Sequence, residues 1–380
     1  MDVGTLVSRA ARRFRDRIAV DGPQGTQTFG ELGDRVHRLA RGLLVMGLRP
    51  GDRVLDLQPN QNTYLETDLA LTIAGLVRVA LNYRLHPDDW TRIAEDSGAV
   101  GIIRDERYEV KLDLPYEVVV GGNYEHLIGS ASGLLPPPGD LVSLNYTSGT
   151  TGRPKGVRRT HQNRYASLVN MTFDVLGGPP SAEDVYLHAG PVTHTSGLFV
   201  LPFLTAGASQ MIMPKFDAEA VIEAVNDKGV THTAMVPTMV SRLLSTGESL
   251  QPLRMLAYAG APMPPEQIRR AMEQLTPNLT QYYGLVEAIP PVTVLDAADH
   301  RAGGDLLTSA GRPALGVELR IVDADGRDVP EGEIGEVITR GEHVMGGYWG
   351  PAGDVHKVVR DGWLYTGDLG RIERDRLWLV

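Results

Sequence analysis

No cysteine occurs among the 380 residues, which removes disulfides, thiolate catalysis and every zinc site that depends on sulfur ligands; a reducing, cytoplasmic setting fits that composition. Lysine is scarce: only five of the 37 basic residues, at positions 111, 155, 215, 228 and 357, carry an ammonium group. No dense run of Lys and Arg offsets the net charge of -10, so a nucleic-acid backbone or an anionic membrane is on average repelled. Any nucleotide bound here needs a local positive site. Long apolar runs are missing too. The N-terminal MDVGTLVSRAARRFRDRIAV has no unbroken apolar core, and the most apolar later stretch, Leu69 to Leu81, is interrupted by Arg78. Neither a signal peptide nor a membrane span is expected. Internal repeats and low-complexity tracts are also lacking. What is present, 42% hydrophobic and 22% charged residues, describes a soluble globular chain that can bury real cores. Its length exceeds one ordinary core and predicts two or three lobes, with small-ligand sites in the clefts between them.

Apolar periodicity organises the chain. Leu32, Val36, Leu39, Leu43 and Met46 recur at helical spacing, with Gly47 and Pro50 supplying the stop signals that follow a helix. RVLDLQ reads as a short strand, and a second amphipathic helix is predicted over about Tyr64 to Val79. GIIRD and YEVVV read as buried strands, so strand and helix alternate around a largely parallel sheet. GLLPPPGD, with Pro136, Pro137 and Pro138, reads as an extended connector into the apolar strand LVSLNY. A helix is predicted from Thr160, and from about Asp184 to Pro290 strands such as MIMP and THTAMV alternate with helices such as AEAVIEAVN. Beyond Leu306, VELRIVD, IGEVITR and WLYTGDL read as short strands separated by DADG and PEGE turns. The expected fold class is α/β, with a first α/β subdomain over 1–183, a second over 184–305 and a small β-rich subdomain over 306–380.

Between LVSLNY and the following helix lies YTSGTTGRPKG, residues 146–156. Thr147, Ser148, Thr150 and Thr151 alternate with Gly149 and Gly152, and Lys155 stands near the end. Such a loop can offer backbone N–H groups, hydroxyls and one cation to phosphate oxygens together. Glycine, serine and threonine alone describe a flexible surface turn better than a phosphate site. One of only five lysines, placed just after a buried strand, tips the reading towards phosphate. No GK followed by Ser or Thr closes the loop, so the Walker pattern is absent and a GTPase-like or kinase-like site is disfavoured.

YTSGTTGRPKGV resembles the signature loop of the adenylate-forming superfamily, which includes acyl-CoA and aryl-CoA ligases, luciferases and the adenylation domains of peptide synthetases. GPVTHTSGL, VPTMV, AYAGAPMPP, QYYGLVEA, SAGRP, GEIGEV and GWLYTGDLGRI follow in order at familiar spacings, so the similarity covers nearly the whole chain. The resemblance implies the large N-terminal domain of that fold, its β-rich subdomain a distorted barrel that ends at a hinge. It further implies an ATP-dependent acid–thiol ligase. A carboxylic acid is joined to the AMP half of ATP, and the acyl group then passes to CoA or to an acyl carrier protein.

Attack of a carboxylate on the α-phosphorus as pyrophosphate departs requires two anions to be held together and the leaving charge to be neutralised. By resemblance, Thr147, Ser148, Gly149, Thr150, Thr151, Gly152 and Lys155 hold phosphate, and Glu287 helps bind Mg. Tyr283 stacks on adenine, accompanied by Tyr282, Gly284, Leu285 and Val286, while Gly260, Ala261 and Pro262 line the other side of the base. Asp368 in YTGD holds both ribose hydroxyls, a job suited to a carboxylate. His194 borders the acyl pocket near the substrate carboxylate. Ser196, Gly197, Leu198, Phe199 and Met235 extend that pocket, together with Gly260 and Gly284. Lys155, His194 and Glu287 are the residues to which the resemblance gives catalytic roles. Taken singly, such residues are more often a solvated charge (Glu287), core packing (Tyr283) or a structural histidine (His194), and Asp368 reads as a turn aspartate.

Two departures from the family pattern matter. Peptide-synthetase domains usually place an aspartate near His194 to grip an α-amine, and none occurs between Gly190 and Phe203; a hydrophobic aryl, alicyclic or fatty acid is expected instead. Val286 stands where the family usually has a threonine whose hydroxyl touches the α-phosphate. Valine cannot donate that bond, a loss of roughly 1.5–3 kcal/mol against a charged group. The chain stops at DRLWLV, before the family's GR-containing hinge and the small C-terminal domain with its second lysine. On that basis the chain as it stands is expected to bind ATP and acid but to perform both half-reactions poorly. A non-catalytic nucleotide or acyl-adenylate binding protein is the alternative from another class.

Overall fold

The computed structural model describes residues 2–380 except 131, 136, 138, 148–153, 251–252 and 351–357. Ser148, Gly149, Thr150, Thr151 and Gly152 of the predicted phosphate loop therefore lie outside the described residues. The chain forms two compact units, Met1–Tyr165 with Met345–Gly353, and Ala166–Val344 with Asp354–Val380. The sequence placed its first boundary at 183, whereas the units divide inside the helix His161–Asn170 and the β-rich segment belongs with the second unit.

In the first unit the sheet runs in the order Tyr116–Val120, Gly101–Asp105, Arg53–Leu57, Val77–Ala80, Leu141–Thr147 and Lys155–Thr160. All neighbours are parallel except the last pair. The helix Phe29–Val45 matches its sequence signals. Thr28 and Glu31 form a capping box at its start, and its apolar face buries Leu32, Val36, Leu39 and Leu43. Gly47 then takes φ +116, in the left-handed region that glycine tolerates.

The predicted amphipathic helix over Tyr64 to Val79 requires correction. The helix spans Asn62–Ile73, Gly75 turns the chain at φ +70, and Val77–Ala80 is already a strand. Nor is the helix amphipathic, because all 12 of its residues are buried. Burying Glu66 and Asp68 demands charged partners. Arg35 meets Glu66 at 2.6 Å and the Tyr124 hydroxyl donates to it at 2.7 Å. Asp68 lies 2.8 Å from Arg164 and 3.2 Å from Arg78, which also reaches Asp56 at 2.6 Å. Burial pushes the Asp68 carboxyl up, but Arg164 and Arg78 more than offset this and hold it below the usual carboxylate range.

In the second unit the strands run in the order Arg312–Pro313, Ala288–Leu295, Leu279–Leu285, Met255–Tyr258, His232–Met235, Val185–His188 and Ser209–Ile212. From Leu279–Leu285 onward the pairing is parallel. Side chains alternate across this sheet. Tyr186, Ala234, Ala257 and Tyr282 pack with Phe199 and Phe203 in one core, while Leu187, Met235, Leu256 and Tyr258 belong to another. A curled antiparallel sheet follows, built from Glu318–Val322, Gly335–Arg340, Trp363–Glu373, Arg376–Leu379 and Val359–Arg360. The α/β class with a small β-rich part is thus the one expected. Among the described residues no helix is long and apolar enough to cross a membrane.

Removing Arg78 leaves Asp56 and Asp68 short of a buried counter-charge, which costs about 3–5 kcal/mol. Arg78→Met should therefore lower the melting temperature sharply; an unchanged melt would show that the buried ion network contributes nothing.

Candidate active site

In open α/β sheets, ligands bind outside the carboxyl ends of the strands, where neighbouring connections leave in opposite directions. The second unit meets this condition between Val185–His188 and His232–Met235. Ser209–Ile212 lies on one side of Val185–His188, and the chain then crosses to place His232–Met235 on the other. Because the strands are parallel, four turns leave from one edge of the sheet. They carry His194, Val236, Gly260 to Pro262, and Val286 with Glu287.

Each turn has a local cause. Gly260 takes φ +87 two residues after the end of Met255–Tyr258, and Gly260, Ala261 and Pro262 are exposed. Val286 and Glu287 form the two-residue tip of a hairpin closed by the Leu285–Ala288 pair. The strand register slips between Tyr283 and Leu285, where residues 289–292 of the partner strand stand against Gly284 alone, an irregularity of that partner strand. A Cβ on Gly284 would lie 2.8 Å from Pro290 Cγ, so this position excludes a side chain.

Tyr282 and Tyr283 point to opposite faces. Tyr282 is buried beside Phe199, with ring centroids 6.3 Å apart, and its hydroxyl has no partner among the described residues. Tyr283 instead packs on the core of Ala310, Ile321, Val337 and Leu377, and donates its hydroxyl to Asp368 Oδ2 at 2.5 Å. Burial, reinforced by the Asp368 carboxylate, pushes the Tyr283 phenol well above its ordinary range, so it stays a protonated donor. Asp368 is exposed at a local distortion of the strand Trp363–Glu373. Gly367 has φ +79 and donates its N–H to Glu336 Oε1 at 3.0 Å. The Asp368 N–H bonds Thr366 Oγ1 at 3.1 Å, and that hydroxyl donates to the Val337 carbonyl at 2.7 Å. Two residues singled out for separate roles, Tyr283 and Asp368, are thereby joined.

His194 opens a short 3-10 turn over Thr195–Phe199. Its N–H bonds the Pro191 carbonyl at 3.1 Å, and its own carbonyl accepts from Gly197 N–H at 3.0 Å. Ser196 tethers the turn to the sheet through the buried His188, Oγ to Nδ1 2.8 Å, and His188 Nε2 lies 3.0 Å from Gln210 Oε1. Burial pushes His188 down to about 4, so the ring is neutral: Nε2–H donates to Gln210 and Nδ1 accepts from Ser196. Neither His188 nor Gln210 was anticipated from sequence. Their only signal is a polar residue at a strand position whose alternate neighbours are apolar. Leu198 and Phe199 pack on the same face as Tyr282, but the Met235 side chain lies in the opposite core. The structure therefore does not bring Met235 together with the other predicted pocket residues, because residue 235 and residue 234 face opposite sides of the sheet.

In the first unit Thr147 stands directly opposite Lys155 in the antiparallel pairing of Leu141–Thr147 with Lys155–Thr160. The two ends of the predicted phosphate loop are therefore held together by strand hydrogen bonds. Among the described residues no group of three or more His, Asp or Glu could hold a metal ion unaided. Magnesium bound through one carboxylate together with substrate phosphates needs no such cluster, and Glu287 at its hairpin tip fits that mode.

Glycine turns and a tyrosine–aspartate pair in the second unit, and Lys155 after the strand pair of the first, are features of the adenylate-forming class. Residues 7–349 match the AMP-binding enzyme family, and the chain is a member of it. It is 35% identical to a feruloyl-CoA synthase from Amycolatopsis over 98% of this chain and 77% of that protein. With the fatty acid–acyl-carrier-protein ligase ScoC of Streptomyces coeruleorubidus it shares 30% identity over 92% of this chain and 71% of that protein. The solved structure of the O-succinylbenzoate coenzyme A synthetase MenE from Bacillus subtilis, in complex with AMP, superposes with a TM-score of 0.87 at 27% identity. That match covers 99% of this chain and 97% of the other.

A Cβ on Gly197 would lie 2.2 Å from the Val192 carbonyl oxygen. Gly197→Ala must open the His194 turn at a cost of about 1–3 kcal/mol, read as a lower melting temperature. A variant as stable as the parent would refute the packing described for this turn.

Proposed function

We propose that this chain carries the adenylation chemistry of an AMP-forming acyl-CoA or aryl-CoA ligase, activating a hydrophobic aryl, alicyclic or fatty carboxylic acid with ATP. The observation that supports this reading most is the Tyr283–Asp368 bond at 2.5 Å, which sets an aromatic face and an exposed carboxylate side by side. An adenosine needs both: a ring to stack on, and an acceptor for two ribose hydroxyls. Gly260, Ala261 and Pro262 leave open backbone for the other side of the base.

Lys155, with the loop from Thr147 to Gly152, supplies the cation and the N–H and hydroxyl donors for the phosphates. Magnesium held by Glu287 would neutralise charge on the departing pyrophosphate. The substrate carboxylate attacks the α-phosphorus, the bond to pyrophosphate breaks, and an acyl-AMP forms. His194 stands at the mouth of the acyl pocket, where Ser196, Gly197, Leu198 and Phe199 hold the remainder of the acid. CoA then takes the acyl group and AMP leaves. An acyl carrier protein as acceptor is a second reading, favoured by the likeness to ScoC; assay with CoA against a phosphopantetheine carrier separates the two.

Acid-dependent exchange of labelled pyrophosphate into ATP, across a panel of aryl, alicyclic and fatty acids, tests the proposal. At least one acid should drive exchange, and Val286→Thr should tighten ATP by about ten-fold through the restored hydroxyl. The reading fails if no acid supports exchange and no acyl-sulfamoyl adenosine raises the melting temperature. Exchange with no gain from Val286→Thr would remove only the role given to position 286.

A further inference from the structure

The segment Met345–Gly353 belongs to the first unit, although the residues on either side of it in sequence belong to the second. Its residues 346–349 lie along Lys155–Thr160, the strand that follows the predicted phosphate loop. Trp349 N–H donates to the Gly156 carbonyl at 2.7 Å, Arg158 N–H to the Gly347 carbonyl at 3.0 Å and Gly346 N–H to the Arg158 carbonyl at 3.3 Å. A bridge pairs Val157 with Tyr348. The neighbouring Trp349 anchors the segment by packing against the core of the first sheet and receiving the Arg53 guanidinium 5.4 Å above its ring. Held in this way, the Tyr348 ring centroid lies 5.1 Å from Lys155 Nζ, within cation–π range.

We infer that Tyr348 is a positioning residue for Lys155: its ring face restrains the ammonium group. This rests on the reading of Lys155 as a phosphate ligand. A free lysine side chain samples many rotamers, and fixing it on binding costs entropy. A ring beneath the ammonium removes part of that cost in advance.

The test is titration calorimetry of Mg-ATP and of adenosine with the full chain and with Tyr348→Leu, Tyr348→Phe, Lys155→Met and the Tyr348→Leu, Lys155→Met double variant. Tyr348→Leu should weaken Mg-ATP by about three- to ten-fold, the loss of one partly exposed cation–π contact. Tyr348→Phe, which keeps the ring face, should bind like the parent, and adenosine, which has no phosphate, should bind all of them alike. In the Lys155→Met background Tyr348→Leu should cost nothing further, because the two groups act as one. Equal weakening of adenosine, an undiminished effect in the Lys155→Met background, or tighter Mg-ATP binding by Tyr348→Leu would each overturn the inference. If Lys155→Met itself leaves Mg-ATP unchanged, the phosphate-loop reading falls. If it weakens Mg-ATP and Tyr348→Leu does not, only the role of Tyr348 is lost.

Discussion

Parallel hydrogen bonding among Leu279–Leu285, Met255–Tyr258, His232–Met235 and Val185–His188 is the constraint on which the candidate site depends. Parallel strands must each be followed by a crossover, so their carboxyl ends share an edge and the turns that leave them are neighbours. Residues remote in sequence, His194, Gly260 and Glu287, come to one edge for that reason alone. Antiparallel pairing would have sent alternate turns to opposite edges. The same pairing decides faces, which is why Tyr282 and Phe199 share a core that Met235 does not enter.

Rigidity in the turns is built from different materials. Gly197 and Gly284 allow backbone or proline to approach where any Cβ would collide. Asp368 is set by its own N–H donating to Thr366 and by Gly367 N–H donating to Glu336 around a distorted strand, and then by the hydroxyl of Tyr283. In the first unit, the buried helix Asn62–Ile73 is tied by arginines at 35, 78 and 164. Such pairs contribute little over apolar packing, but losing one partner strands a charge in a medium that cannot solvate it. The arginine-rich, lysine-poor composition suits this, since a guanidinium can serve two carboxylates at once, as Arg78 does for Asp56 and Asp68.

What could be read from sequence was what is local. The capping box and apolar stripe of Phe29–Val45 lie within one segment, as do the alternating strands of the β-rich part. The glycine turns and the acidic residues assigned to the candidate site could be named from sequence because each sits in a short ordered motif. Partnerships across the chain were not. Glu66 and Asp68 look like the polar face of an amphipathic helix until arginines from other elements are known. Tyr283 and Asp368 are 85 positions apart, and no periodicity links them. His188 with Gln210, and Tyr348 with Lys155, were hidden for the same reason: each pair is made by strand order, which a linear pattern does not contain.

The central claim is that the Tyr283–Asp368 pair and the Gly260–Pro262 turn together form an adenosine site. A crystal structure of the chain grown with AMP tests it most directly. The account predicts adenine stacked on Tyr283 with Gly260 to Pro262 on its other side, and the ribose hydroxyls on Asp368. AMP bound elsewhere, with Asp368 still bonded only to Tyr283, would contradict it.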